Sequence, residues 1–272
     1  MTDESDLGNF SRLVRALDPW LDRVVVIGGW AHRLHRLDPR AQVMDYAPLT
    51  TLDADIAMPA ELPSATPNIR DRLLAHGFTE EFLGHDQPPA THYSLGDEAS
   101  GFYVEFVTPL IGGAYDRRSN RKATAQVAGV TSQQLRHIDV LLIDPWVVDF
   151  ELTGKVEERK KLQIANPASF LAQKVLIHSK RSREDRARDV LYVHDTLEVF
   201  GGCLEELCSE WHTRIAPRLH RNHAQVVLKA SDRLFGEITD AIRGATIVAA
   251  GRGLTPESVR ETCQFGFQKL FA

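Results

Sequence analysis

The chain is poor in cysteine: Cys203, Cys208 and Cys263 are its three, and no CxxC pair occurs. An odd number without paired spacing supports neither a disulfide framework nor a structural zinc site, and it fits the thiols of a reducing compartment. Long apolar runs are missing too. The longest, such as Val24-Val25-Val26-Ile27 and Val140-Leu141-Leu142-Ile143, are far too short to cross a bilayer, and the first residues, Met1-Thr2-Asp3-Glu4-Ser5-Asp6, are acidic where an export signal is basic. No membrane anchor is expected, and the expected compartment is cytoplasmic. Positive charge is not in excess: the formal net charge is −5, which argues against coating nucleic acid by bulk charge but leaves room for a local basic groove. The histidines show no HExxH or other metal spacing, and Gly251-Arg252-Gly253 lacks the lysine and hydroxyl residue of a phosphate loop.

What is present reads as an ordinary folded chain. Hydrophobic residues make up 43% and charged residues 25%, and 272 residues suit one large or two modest domains. The first half alternates strand-like and helix-like patterns. Arg23 to Ile27 is β-branched and apolar, Gly28-Gly29 is a turn, and Trp30 to Leu37 has helical spacing. Thr50 to Met58 alternates with period two: Leu52, Ala54, Ile56 and Met58 share one face, and Thr51, Asp53, Asp55 and Ala57 the other. Asn68 to His76 predicts an amphipathic helix closed by Gly77, Thr91 to Leu95 and Phe102 to Val107 predict strands, and Arg136 to Leu152 predicts one or two more. From Asn166, a good N-cap followed by Pro167, helical patterns run to the end, broken at Gly201-Gly202, Pro217 and Gly251-Arg252-Gly253. The expected partition is a mixed α/β domain over residues 1–160 and a helical domain over 161–272.

Two acids at i and i+2 on a strand project to one side and can share divalent cations, and magnesium favours such carboxylate oxygens together with substrate phosphates. A turn without side chains lets backbone N–H groups approach a phosphate. Glu105 is a polar residue that interrupts the apolar run Phe102-Tyr103-Val104-Glu105-Phe106-Val107, and Asp139 and Asp149 are acids of the later strand region. In the helical half, Lys174 falls on the apolar stripe of Phe170 to Ile177 and should face a partner, and Asp189 follows a basic segment, Arg181 to Arg188. The basic loop Arg117-Arg118-Ser119-Asn120-Arg121-Lys122 reads as a solvated loop or as a grip for an RNA backbone. His32 lies close enough to the glycine turn to touch a bound nucleotide.

A Gly-Gly turn followed by hydrophobic-Asp-x-Asp-hydrophobic resembles the core of the nucleotidyltransferase superfamily with the polymerase-beta-like fold. With Lys174 and Asp189 added, residues from about 24 to about 195 resemble its AbiEii-type branch and the uncharacterised bacterial members related to it. The resemblance implies an α+β fold, a mixed sheet flanked by helices and followed by a C-terminal helical domain. It implies transfer of a nucleoside monophosphate from an NTP to an acceptor hydroxyl of a tRNA, a protein or a small molecule. Asp53, Asp55 and a third acid from a neighbouring strand, Glu105 or in its stead Asp139 or Asp149, would hold Mg2+ or Mn2+, Gly28, Gly29 and Lys174 would hold the triphosphate, and Asp189 would orient Lys174 or the nucleobase side. Its toxin members imply a toxin–antitoxin role and an antitoxin partner, although Leu49 stands where such toxins often place an arginine shortly before the first acid. A non-catalytic nucleotide-binding or interaction module that keeps the fold is the alternative.

Overall fold

Nine short strands, from the apolar Val25–Ile27 to the charged Glu158–Ile164, assemble into a mixed sheet among the described residues. The structure is a computed structural model that describes residues 3–83, 90–96, 101–113, 123–154 and 158–272. They form two compact units: Met1–Leu37 with Thr50–Ala165, and Asp38–Leu49 with Asn166–Ala272.

The first unit opens with helix α1 (Asp3–Leu17), whose Phe10, Leu13, Val14 and Leu17 recur at helical spacing and are all buried. Strand β1 (Val25–Ile27) is buried throughout and runs directly into helix α2 (Gly28–Leu34). Strand β2 (Asp53–Ala57) precedes helix α3 (Ile69–Ala75). The Asn68 side chain caps α3 by accepting from the Asp71 N–H at 2.9 Å, and Gly77, at φ +86°, follows its end. Next come β3 (Thr79–Leu83), β4 (Ala90–Leu95), β5 (Phe102–Pro109), β6 (Thr124–Val127) and β7 (Val130–Leu135), then the short helix α4 (Ile138–Leu141) and the antiparallel strands β8 (Trp146–Leu152) and β9 (Glu158–Ile164).

The strand order is β3-β4-β5-β2-β1-β9-β8, with β7 beside the end of β5 and β6 beside β7. β2 and β5 are parallel, as are β1 and β9, while β1 with β2 and β4 with β5 are antiparallel. The core of this unit is aromatic. Phe10 stacks on Trp30 with ring centroids 4.0 Å apart, and Trp30 meets Phe102 edge-on at 6.0 Å. The one or two strands expected over 136–152 are one strand, β8. Ile138–Leu141 is instead a single helical turn, flanked by His137 (φ +66°) and Asp144 (φ +49°), conformations that interrupt extended chain. The loop Arg117 to Lys122 lies outside the described residues.

The second unit is helical: α5 (Pro167–Ile177), α6 (Arg183–Val199), α7 (Leu204–Glu210), α8 (Arg221–Leu228), α9 (Ala230–Phe235), α10 (Asp240–Val248) and α11 (Pro256–Phe271). Asn166 caps α5 by accepting from the Ala168 N–H, with Pro167 in its first turn. Ser182 caps α6, and Thr255 with Ser258 forms a capping box on α11. Helix α10 lies close on α6 because Gly244 has no side chain; a Cβ there would sit 2.7 Å from the Ala187 Cβ. The segment 38–49 is tied into this unit by the Gln42 N–H, which donates to the Val199 carbonyl at 2.8 Å, and by Arg40, which bridges Asp38 and Glu210.

Candidate active site

The acidic site is a product of strand register. In β2, Ala54 and Ile56 are fully buried, while Asp53 and Asp55 point to the opposite, half-buried face. β5 alternates in the same phase, with Val104 and Phe106 buried and Tyr103 and Glu105 half-buried. The parallel pairing sets Asp53 beside Tyr103 and Asp55 beside Glu105, so the three acids share one face of two adjacent strands. Neighbouring strands lie about 4.8 Å apart, a spacing that lets carboxylates on both contact a common cation. Asp149 and Asp139 are not brought there: Asp149 is exposed on β8, separated from β2 by β1 and β9, and Asp139 is exposed on α4.

Several groups shape this face. Asp55 is in register with Ile27, the residue just before Gly28. Gly28 has φ +63°, and a Cβ on it would collide with Oδ2 of Asp55, so glycine is required both by the backbone and by the carboxylate beside it. The Thr51 hydroxyl donates to Oδ1 of Asp53. On β4, His92 is in register with Glu105, its Nε2 lies 2.5 Å from Oε1 of Glu105, and its ring stacks on Tyr103 with centroids 4.5 Å apart and planes 18° from parallel. Three carboxylates on one face offer the all-oxygen donor set that a hard divalent cation takes, and the absent Cβ of Gly28 gives the Asp55 carboxylate its place. His32 is buried, and its ring faces that of His35 at 6.5 Å; its closeness in sequence to the glycine turn does not bring it to the surface.

In the second unit the structure brings Lys174 and Asp189 together. Lys174 Nζ donates to Asp189 Oδ1 at 2.6 Å, with the residues 8% and 2% exposed, so the lysine expected to face a partner has one. Arg181 donates to the other oxygen, Oδ2, at 3.1 Å, and also lies 3.6 Å from Asp185. The ammonium sits over the ring of Tyr192, 4.9 Å from its centroid, which fixes the charge in a low-dielectric pocket.

A second acidic cluster was not expected from the sequence. On α6, ligand-type atoms of His194, Asp195 and Glu198 lie within 4.8 Å of one another. Arg252 grips both oxygens of Asp195, at 2.7 and 2.8 Å, and lies over the Tyr46 ring at 3.4 Å, while the Tyr46 hydroxyl donates to Glu198 at 2.7 Å. A guanidinium fork on a fully buried carboxylate makes this a closed ion network that clasps segment 38–49. The spacing i, i+1, i+4 on α6 was the available signal. Its partners Tyr46 and Arg252 lie too far away in sequence for that spacing to reveal them.

A family model described as Nucleotidyltransferase matches residues 5–214. The chain belongs to that nucleotidyltransferase family. No curated protein and no solved structure matches the chain. Membership makes it a transferase with an NTP as substrate, and nucleotidyltransferases generally use divalent metals. The mixed sheet and the helical region after it agree with the fold of the family. No helix among the described residues is long and apolar enough to cross a membrane.

Proposed function

We propose that the protein transfers a nucleoside monophosphate from an NTP to an acceptor hydroxyl, releasing pyrophosphate, with Asp53, Asp55 and Glu105 holding Mg2+ or Mn2+. The observation that carries this is the register of β2 and β5, which lines up three carboxylates on one face beside Gly28. When bound, divalent cations supply charge neutralisation on the triphosphate and on the attacking oxygen.

The chain's own residues do the rest. Gly28 and Gly29 offer backbone to the phosphates without a side chain in the way. A phosphate role for Lys174 requires its buried ammonium, held by Asp189 Oδ1 at 2.6 Å, to exchange that oxygen for one of the triphosphate. One carboxylate of the acidic face takes up the proton of the acceptor hydroxyl. Positioning and charge neutralisation carry most of the rate enhancement, as in phosphoryl transfer generally. The acceptor is a tRNA, a protein side chain or a small hydroxylated molecule, and a toxin role with an antitoxin partner follows only if transfer arrests growth.

The test is transfer of label from each alpha-labelled NTP into total RNA, total protein and the small-molecule fraction of an extract with Mg2+, comparing the wild type with Asp53→Ala and Lys174→Ala. Label with the wild type alone identifies the acceptor class. Bound NTP with no label in any fraction contradicts the proposal and leaves a non-catalytic nucleotide-binding module. In cells, growth arrest on expression that Asp53→Ala relieves would add the toxin role.

A further inference from the structure

We propose that His92 is the positioning residue for Glu105, fixing one carboxylate oxygen so that the other is presented to a cation shared with Asp55. The inference rests on the reading of Glu105 as the third acid. Across three adjacent strands, His92 on β4, Glu105 on β5 and Asp55 on β2 form one row by register, with Glu105 in the middle. His92 Nε2 lies 2.5 Å from Oε1, and since a carboxylate only accepts, the imidazole N–H donates. That leaves Oε2 on the same carboxylate for a metal.

The need for such a residue follows from side-chain length. Glutamate has one more rotatable bond than aspartate, so more conformational freedom is lost when its carboxylate is held in a metal site. His92 is itself held. Its ring stacks on Tyr103, the residue two positions before Glu105 on the same face of β5 and in register with Asp53. A cross-strand neighbour and a diagonal ring contact therefore restrain the donor, and the donor restrains the acid. Thr51 plays the matching part for Asp53, donating its hydroxyl to Oδ1. Hydrogen-bond partners of ligating carboxylates typically contribute 10- to 100-fold in metal affinity.

The experiment is titration of the full chain with Mn2+ alone, following free Mn2+ by electron paramagnetic resonance, for the wild type, Glu105→Gln, His92→Phe and His92→Gln, with thermal unfolding confirming that each is folded. His92→Phe keeps a ring against Tyr103 but removes the donor, whereas His92→Gln carries an amide donor to about the position of Nε2. The expected result is Mn2+ affinity weakened by at least about 10-fold in Glu105→Gln and by about 10-fold in His92→Phe, with His92→Gln within about threefold of the wild type. Unchanged affinity in Glu105→Gln overturns the third-acid reading and the role of His92 with it. Weakened binding in Glu105→Gln beside unchanged binding in His92→Phe overturns the His92 proposal alone. Equal weakening in the Phe and Gln variants also overturns it, because the donor would then not be what matters. Should His92→Phe fail to fold, His92→Asn, whose amide ends near the position of Nδ1, takes its place with the same expectation.

Discussion

The molecule holds two clusters of acids that look alike as residue types and differ in what surrounds them. On α6, Asp195 is fully buried, and Arg252 takes both of its oxygens while Tyr46 takes Glu198. On the sheet, Asp53 and Glu105 are half-buried, and Thr51 and His92 each engage one oxygen of a carboxylate. The first cluster is closed by a cation from its own chain, and removing one partner leaves an uncompensated buried charge. In the second, one oxygen of Asp53 and one of Glu105 are oriented by hydrogen-bond donors, an arrangement that suits a site where a ligand supplies the positive charge. Proximity of acids therefore does not separate a structural network from a reactive one. The identity of the partners does.

The largest effect that sharpens this contrast is on activity. Asp55→Asn should lower transfer by about 10³-fold or more, measured as label incorporated from an alpha-labelled NTP, while its thermal unfolding midpoint stays level or rises. A variant that lost stability and activity together would instead place Asp55 in the scaffold. The converse holds on α6. Arg252→Ala should destabilise the fold by about 3 kcal/mol in urea unfolding, because Asp195 stays buried without its fork. Arg252→Lys should recover only part of that, since an ammonium cannot reproduce two parallel bonds.

The smallest effect concerns pH. Burial, reinforced by the charge of Arg186, depresses the His178 imidazole below its ordinary value of 6.5. The unfolded chain then binds that proton more readily than the folded one, so this contribution is present at neutral pH and is lost as pH falls below about 6.5. His178→Gln should flatten the corresponding part of the stability profile, read from urea midpoints at pH 7.5 and 5.5. An unchanged slope would assign the acid sensitivity to other groups.

The residues that were legible in the sequence are those whose signal is local. Period two in Thr50 to Met58 put Asp53 and Asp55 on one face before any register was known, and glycine at Gly28 and the Asn166-Pro167 cap acted where they stand. Strand β9 was not legible, because Glu158-Arg159-Lys160-Lys161 has no apolar alternation and its place in the sheet comes from pairing with β8 and β1. Ile138–Leu141 misled because a run of four mostly apolar residues fits a buried strand and a helical turn equally well. Helix α1 was not among the expected elements, although its buried residues follow helical spacing. His92 escaped for a different reason. Its strand was expected, but only the β4–β5 register reveals that it meets Glu105, and register is set by tertiary packing.

The contrast between the two clusters is tested most directly by the anomalous scattering of Mn2+ in crystals of the protein. A peak is expected among Asp53, Asp55 and Glu105 and none at His194, Asp195 and Glu198. A peak at the α6 cluster, or none on the acidic face of the sheet at saturating Mn2+ and NTP, would contradict it.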